Sequence, residues 1–362
     1  MKVLVSIVCL IALASAAQAA RYNVVDLGTL SSGGTNRAYG INSSGVVVGS
    51  RTNNYGHDLA FFYDGTMHDV GVRQGYPNST ATGVNDSGAV IGYLRPDGGG
   101  DYRAFIYKNG KMTDLGTIPG YTYWTLGCAI NNNDIVAGTS YTSSFSGHSF
   151  VYDGLGIKDM NSLTTPPSNG TVELVLANAI NNLGQITGST GPTGNAYLWK
   201  NGTVTNLGTL PSGHYSNGFG INDLGQVVGK GYTSNWVEHA FFYDGTMHDL
   251  GNLPGYLSSG AYDINNLGQI VGVSSVDYYN KHAFLYENGK MYDLNSLIDH
   301  SSGLTLLQAQ AINDSGQIVG YAVDANNQEH AFLLTSVPEP SSIFALFSGI
   351  AGLGGLALRQ RK

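Results

Sequence analysis

The chain has 362 residues, 51 of them glycine, with only 12% charged residues and a formal net charge of −8. So acidic and Lys/Arg-poor a composition argues against nucleic acid or an anionic membrane surface as a partner. Of the two cysteines, Cys9 falls in an N-terminal leader, so Cys128 alone remains; an internal disulfide and a cysteine metal cluster are both excluded, and stability must come from packing.

At the N-terminus, Lys2 precedes the apolar stretch Val3 to Ala16 and the small-x-small pattern Ala17-Gln18-Ala19. This is the layout of a secretory leader covering residues 1–19, and its apolar run is short for a membrane span. A repeat then begins and continues to about residue 336. Its first motif is Gly40-Ile41-Asn42-Ser43-Ser44-Gly45-Val46-Val47-Val48-Gly49, and its Asn returns as Asn85, Asn131, Asn181, Asn222, Asn265 and Asn313. The intervals are 43, 46, 50, 41, 43 and 48 residues, the length of one four-stranded propeller blade. The third copy departs most, with Asp134 where the others have Gly.

A second motif follows each copy, as in Ala60-Phe61-Phe62-Tyr63 and Ala240-Phe241-Phe242-Tyr243; a third, such as Met67-His68-Asp69-Val70-Gly71, comes next. The first motif splits at an Asn-Asp-x-Gly type of turn, and Asp64-Gly65, Asn109-Gly110 and their equivalents join the second to the third as hairpins. Each unit therefore reads as antiparallel strands A, B, C and D. The last unit ends after its C strand near Ser336, and the missing D strand is expected at the other end, in Val24 to Leu30. An open solenoid needs polar caps, whereas a ring needs its ends joined. The expected fold is all-β, a seven-bladed propeller over residues 20–336 whose last blade is closed by the N-terminal strand.

The copies with His239-Ala240-Phe241, His282-Ala283-Phe284 and His330-Ala331-Phe332 resemble the HAF repeats of extracellular bacterial proteins. That resemblance implies export and repetition and is silent on chemistry. Residues 337–362 resemble a PEP-CTERM sorting signal: Pro338-Glu339-Pro340, the apolar run Ile343 to Leu358, and a basic tail with Arg359 and Arg361. The resemblance implies processing by a membrane exosortase, transient membrane contact through a short span, and release to the cell surface or matrix of an exopolysaccharide producer.

Residues that look chemical mostly follow the repeat. The histidines before strand C (His148, His239, His282, His330) sit on different blades and cannot share one ion, so they read as polar partners of a neighbouring turn or blade. The Asn-Asp-x-Gly turns offer too few carboxylates for calcium. No metal or cofactor is expected. Acids outside the motifs (Asp97, Asp101, Glu173, Glu238, Asp277, Asp299, Asp324, Glu329) show no spacing that marks a glycosidase pair. The A–B and C–D turns are short and uniform, whereas the D–A and B–C connections vary, and in an antiparallel blade these lie on one face. That face carries Tyr55, Tyr102, Tyr123, Trp124, Tyr215, Trp236, Tyr256 and Tyr279 among Ser, Asn and Gly, a composition suited to sugar rings. The sequence thus predicts a non-catalytic, exported module binding polysaccharide or a surface protein. A secreted glycan hydrolase or lyase and a purely structural matrix component are the alternatives.

Overall fold

The computed structural model describes residues 21–28, 34–165, 173–191, 194–277 and 280–337. Seven four-stranded antiparallel sheets follow one another round a ring. Blade 1 is Asn36–Ile41, Val47–Thr52, Asp58–Tyr63 and Met67–Asp69, and the next five repeat that order. The seventh holds Thr305–Ile312, Ile318–Val323 and Glu329–Ser336, and its outer strand is Tyr22–Asp26, paired antiparallel with Glu329–Ser336. The closure expected from the phase of the repeat is present. Its strand, however, starts and ends earlier than the expected 24–30: Asp26 matches the Asp at which the D strands of blades 1, 2, 3 and 6 end; Thr29 and Leu30 lie outside the described residues. The closing strand is latched beyond its own sheet, for Arg21 pairs with Glu287 of blade 6 at 2.6 Å.

Two repeat positions explain the packing. The motif aromatics Phe61, Phe105, Phe150, Tyr197, Phe241, Phe284 and Phe332 are all fully buried, each worth roughly 1.5–3 kcal/mol of transfer free energy. Opposite them on strand B stands a glycine in every blade. A Cβ on Gly49, Gly229 or Gly272 would run into the strand-A carbonyl and the motif phenylalanine. Only glycine lets the ring lie against the backbone there.

The repeat Asn closes the ring a second time. Its buried Oδ1 accepts from the backbone N–H groups two and four residues on, fixing the A–B turn, as at Asn85 with Ser87 and Ala89. Its Nδ2 donates to the carbonyl of the next blade's Asn. The series runs Asn42, Asn85, Asn131, Asn181, Asn222, Asn265, Asn313 and back to Asn42, at 2.9–3.1 Å. An outer tier adds Ser43 N–H to Asp86 and Asp86 N–H to Asn132, and continues to Asn266 N–H on Asp314. Asp134, the departure in the third copy, takes the left-handed conformation of the glycine it replaces (φ 59°) and bonds Asn85 and Lys108.

Candidate binding face

Every strand A carries a β-bulge, and the bulged residue is Tyr39, Thr82, Cys128, Asn178, Phe219, Tyr262 or Gln310. A bulge re-aims a side chain, and all seven of these line a central cavity of about 340 Å³. The next position is Gly or Ala in six blades and Asp263 in the sixth. Asp263 accepts from Ile312 N–H of blade 7 and from its own neighbour Ile264 N–H, both at 2.9 Å. Burial in the channel raises its carboxyl to about 7 against the pull of those two N–H groups, with the Asp314 charge adding to the rise. Asp263 lies inside the repeat motif and was not singled out from the sequence. The signal was there: one carboxylate at a position otherwise held by Gly or Ala.

The motif histidines pair within their own blade, with the recurring Asp of the adjacent D strand, and not with the neighbouring turn or blade expected from the sequence. His148 pairs with Asp159, His239 with Asp249, His282 with Asp293 and His330 with Asp26, at 2.7–3.0 Å. The same Asp also caps the bend that leaves strand D, as with Gly251 N–H on Asp249 and Gly28 N–H on Asp26. In blade 4, where Asn195 replaces the His, Asn206 replaces the Asp yet keeps the cap to Gly208. Pair and cap are separable: blades 1 and 2 keep the Asp (Asp69, Asp114) although Leu59 and Arg103 stand at the His position. Among the described residues no three His, Cys, Asp or Glu side chains form a metal-binding group.

The loop acids are engaged too. Asp97 lies 3.5 Å from His57, Asp101 3.3 Å from Arg103, Glu173 3.3 Å from His148, Glu238 2.7 Å from Lys230 and Glu329 2.6 Å from Arg37. Asp277, Asp299 and Asp324 hold loop N–H groups of Asn280, Ser301 and Gln328.

The candidate aromatics separate into groups. Tyr102, Tyr123 and Trp124 form one stack, with Tyr102 to Trp124 centroids 5.0 Å apart and Tyr123 to Trp124 5.4 Å. Tyr93, Tyr141 and Phe145 join it. Tyr215 and Trp236 form a second group 5.8 Å apart, in which His214 stacks on Trp236 at 3.7 Å and Tyr232 stands behind. Tyr55 projects alone, 86% exposed. Tyr256 is half-buried against the core of blades 5 and 6 and tilts on His282, so its ring serves packing. Tyr279 lies outside the described residues, as do the leader and Pro338, Glu339, Pro340, Arg359 and Arg361. Phe145 and His214 were not singled out from the sequence; both sit at repeat positions whose aromatic character appears only when loops of different blades are aligned.

Residues 211–337 match the model of a family described as "Protein of unknown function (DUF3466)". That span takes in blades 5 and 6 and the three C-terminal strands of blade 7. No curated protein matches the chain. Among solved structures the chain is similar to Pyrococcus horikoshii acylaminoacyl peptidase, at 10% identity and TM-score 0.45, over 85% of this chain and 53% of that one. The chain thus spans about half the length of that enzyme. It is also similar to the six-bladed Aleuria aurantia lectin, at 10% identity and TM-score 0.35, over 88% of this chain and 98% of the lectin. A Trypanosoma rangeli sialidase matches at 8% identity and TM-score 0.35, over 85% of this chain and 54% of that one. Likenesses at this level say nothing of chemistry.

Beside the second aromatic group lies a cavity of about 220 Å³ lined by Ser189, Tyr215, Ser216, Asn217, Lys230, Tyr232 and Glu238. Its ions are paired internally, and Glu238 accepts from the Tyr232 phenol, which raises that phenol's pKa. A neighbouring hollow of about 330 Å³ carries Arg37, Lys281, Gln308 and Tyr321. Apolar ring faces beside neutralised donors and acceptors suit a polyhydroxylated ligand.

Proposed function

We propose that the protein is an exported, non-catalytic propeller of the cell surface or extracellular matrix that binds polysaccharide through its D–A/B–C face. The observation that carries this is the gathering of loop aromatics into two groups on that face, with Trp236 58% and Phe145 59% exposed. The engagement of every motif His and Asp and of the loop acids supports binding over catalysis. The leader-like N-terminus supports passage across the inner membrane. The PEP-CTERM-like tail supports processing by an exosortase-type enzyme and release.

The test is affinity electrophoresis of the protein through gels containing exopolysaccharide of the host and a series of plant and microbial polysaccharides. Retardation by at least one polymer, relieved in a Trp124→Ala/Trp236→Ala variant with an unchanged circular dichroism spectrum, is the expected result. Equal mobility in every gel would rule the reading out.

A further inference from the structure

Blades 3 and 5 carry the same four aromatic positions. Counted from the repeat Asn of each blade, these are Tyr123 and His214, Trp124 and Tyr215, Tyr141 and Tyr232, Phe145 and Trp236. In both blades two rings come from the D–A loop side, one from the end of strand B, and one from the tip of the B–C loop. The tip ring packs on the other members in each case: Phe145 meets Tyr123 and Trp124 edge-on at 5.9 and 5.0 Å, and Trp236 meets His214, Tyr215 and Tyr232 at 3.7, 5.8 and 6.2 Å.

The tip position is a poor place for an aromatic. Phe145 has φ 62° and Trp236 φ 61°, a left-handed conformation that bulky residues rarely adopt. The same turn in blades 1 and 7 uses Gly56 and Asn327, residues suited to it, with matching backbone hydrogen bonds. Neither tip ring is needed for the core, since more than half of each is exposed. A disfavoured backbone that holds a large ring out toward solvent, twice and in the same way, points to use of that ring. Trp124 Nε1 is a covered donor with no hydrogen-bond partner among the described residues.

We propose that the two quartets are equivalent, separate sugar sites, so that one molecule holds two segments of a neutral polysaccharide and cross-links chains. The proposal rests on the polysaccharide-binding reading and adds its valency, its residues and the class of sugar. Neutral pyranose rings follow from the chemistry: flat C–H faces stack on aromatics, and the cations near the second quartet already hold Glu238 and Glu329. One site meets one sugar segment, and the two sites lie on blades separated by blade 4, so a long polymer gains by avidity while a short one does not.

The chain has three tryptophans, one in each quartet and Trp199 in strand C of blade 4, where its indole N–H bonds Thr164. The experiment labels the whole protein with 5-fluorotryptophan and follows fluorine resonances during titration with hexasaccharides of β-1,4-glucose, β-1,4-mannose and β-1,4-N-acetylglucosamine. With one of these, the Trp124 and Trp236 resonances move and that of Trp199 stays. Phe145→Gly weakens the Trp124 site and Trp236→Gly the tyrosine-lined site, each by roughly tenfold or more, while neither lowers the melting temperature, because glycine suits the turn. Each single variant also loses the ability to gel or precipitate the matching long polymer. Movement of one resonance only, or binding by the polymer with neither moving, overturns the two-site proposal and leaves polysaccharide binding standing. A fall of the melting temperature in both glycine variants makes the tip rings structural and likewise overturns it. Absence of binding to every hexasaccharide and polymer removes the underlying reading as well.

Discussion

The two faces of the propeller spend their polar residues differently. On the A–B face every Asn side chain is used three times over, capping its own turn and reaching the next blade, and the pattern is the same in all seven units. On the D–A/B–C face the loops differ from blade to blade, and in blades 3 and 5 they place large rings where the backbone favours glycine. One face is uniform because a ring of hydrogen bonds tolerates no odd member. The other is free to vary because the core beneath it is complete without it.

Four variants probe that contrast. The largest effect belongs to the closing strand: deleting residues 21–26 bares the edge of Glu329–Ser336 and removes the buried Tyr22. Loss of the single cooperative melting transition and of the monomer in sedimentation is expected; an unchanged melting curve would mean that the ring is held by other means. Next comes the core shared by both faces, where Phe241→Ala should cost about 3–5 kcal/mol in urea denaturation. On the uniform face, Asn181→Ala removes two turn caps and the bond to Asn222, and a loss of about 2–3 kcal/mol is expected in the same assay. On the variable face, Tyr55→Ala should change stability by less than about 0.5 kcal/mol.

Most of the fold was legible because its period is long, regular and marked by turn residues with a mechanism. The seven Asn positions, the DG and NG hairpins and the phase of the last unit led to strands, blades and closure. What the Asn residues do beyond their turns was not legible, since blade-to-blade bonding needs the ring to exist before it can be seen. The histidines read as structural, but their partner, the D-strand Asp, emerged only with the strand pairing. Of the proposed aromatics, Trp124 and Trp236 lie in clusters, whereas Tyr256 was absorbed by the core; exposure is a property of the packed blade and not of the loop that carries the residue. Asp263 was hidden by its position inside a motif.

That carboxyl gives a pH signature. Its folded-state pKa is raised to about 7, above the unfolded value, so the folded protein binds the extra proton. Stability from this group is therefore greatest below the ordinary carboxylate range and falls as pH climbs toward about 7. The wild type minus Asp263→Asn difference in unfolding free energy should fall with a slope of up to one proton across that window. A difference that is flat, or rises, would mean that the channel leaves Asp263 ionised.

The division of labour between the faces is tested most directly by hydrogen–deuterium exchange, with and without a retained polysaccharide. Slowed exchange is expected in the D–A and B–C loops of blades 3 and 5, around Tyr123, Phe145, Tyr215 and Trp236, with the A–B turns unchanged. Protection centred on the Asn turns would contradict it.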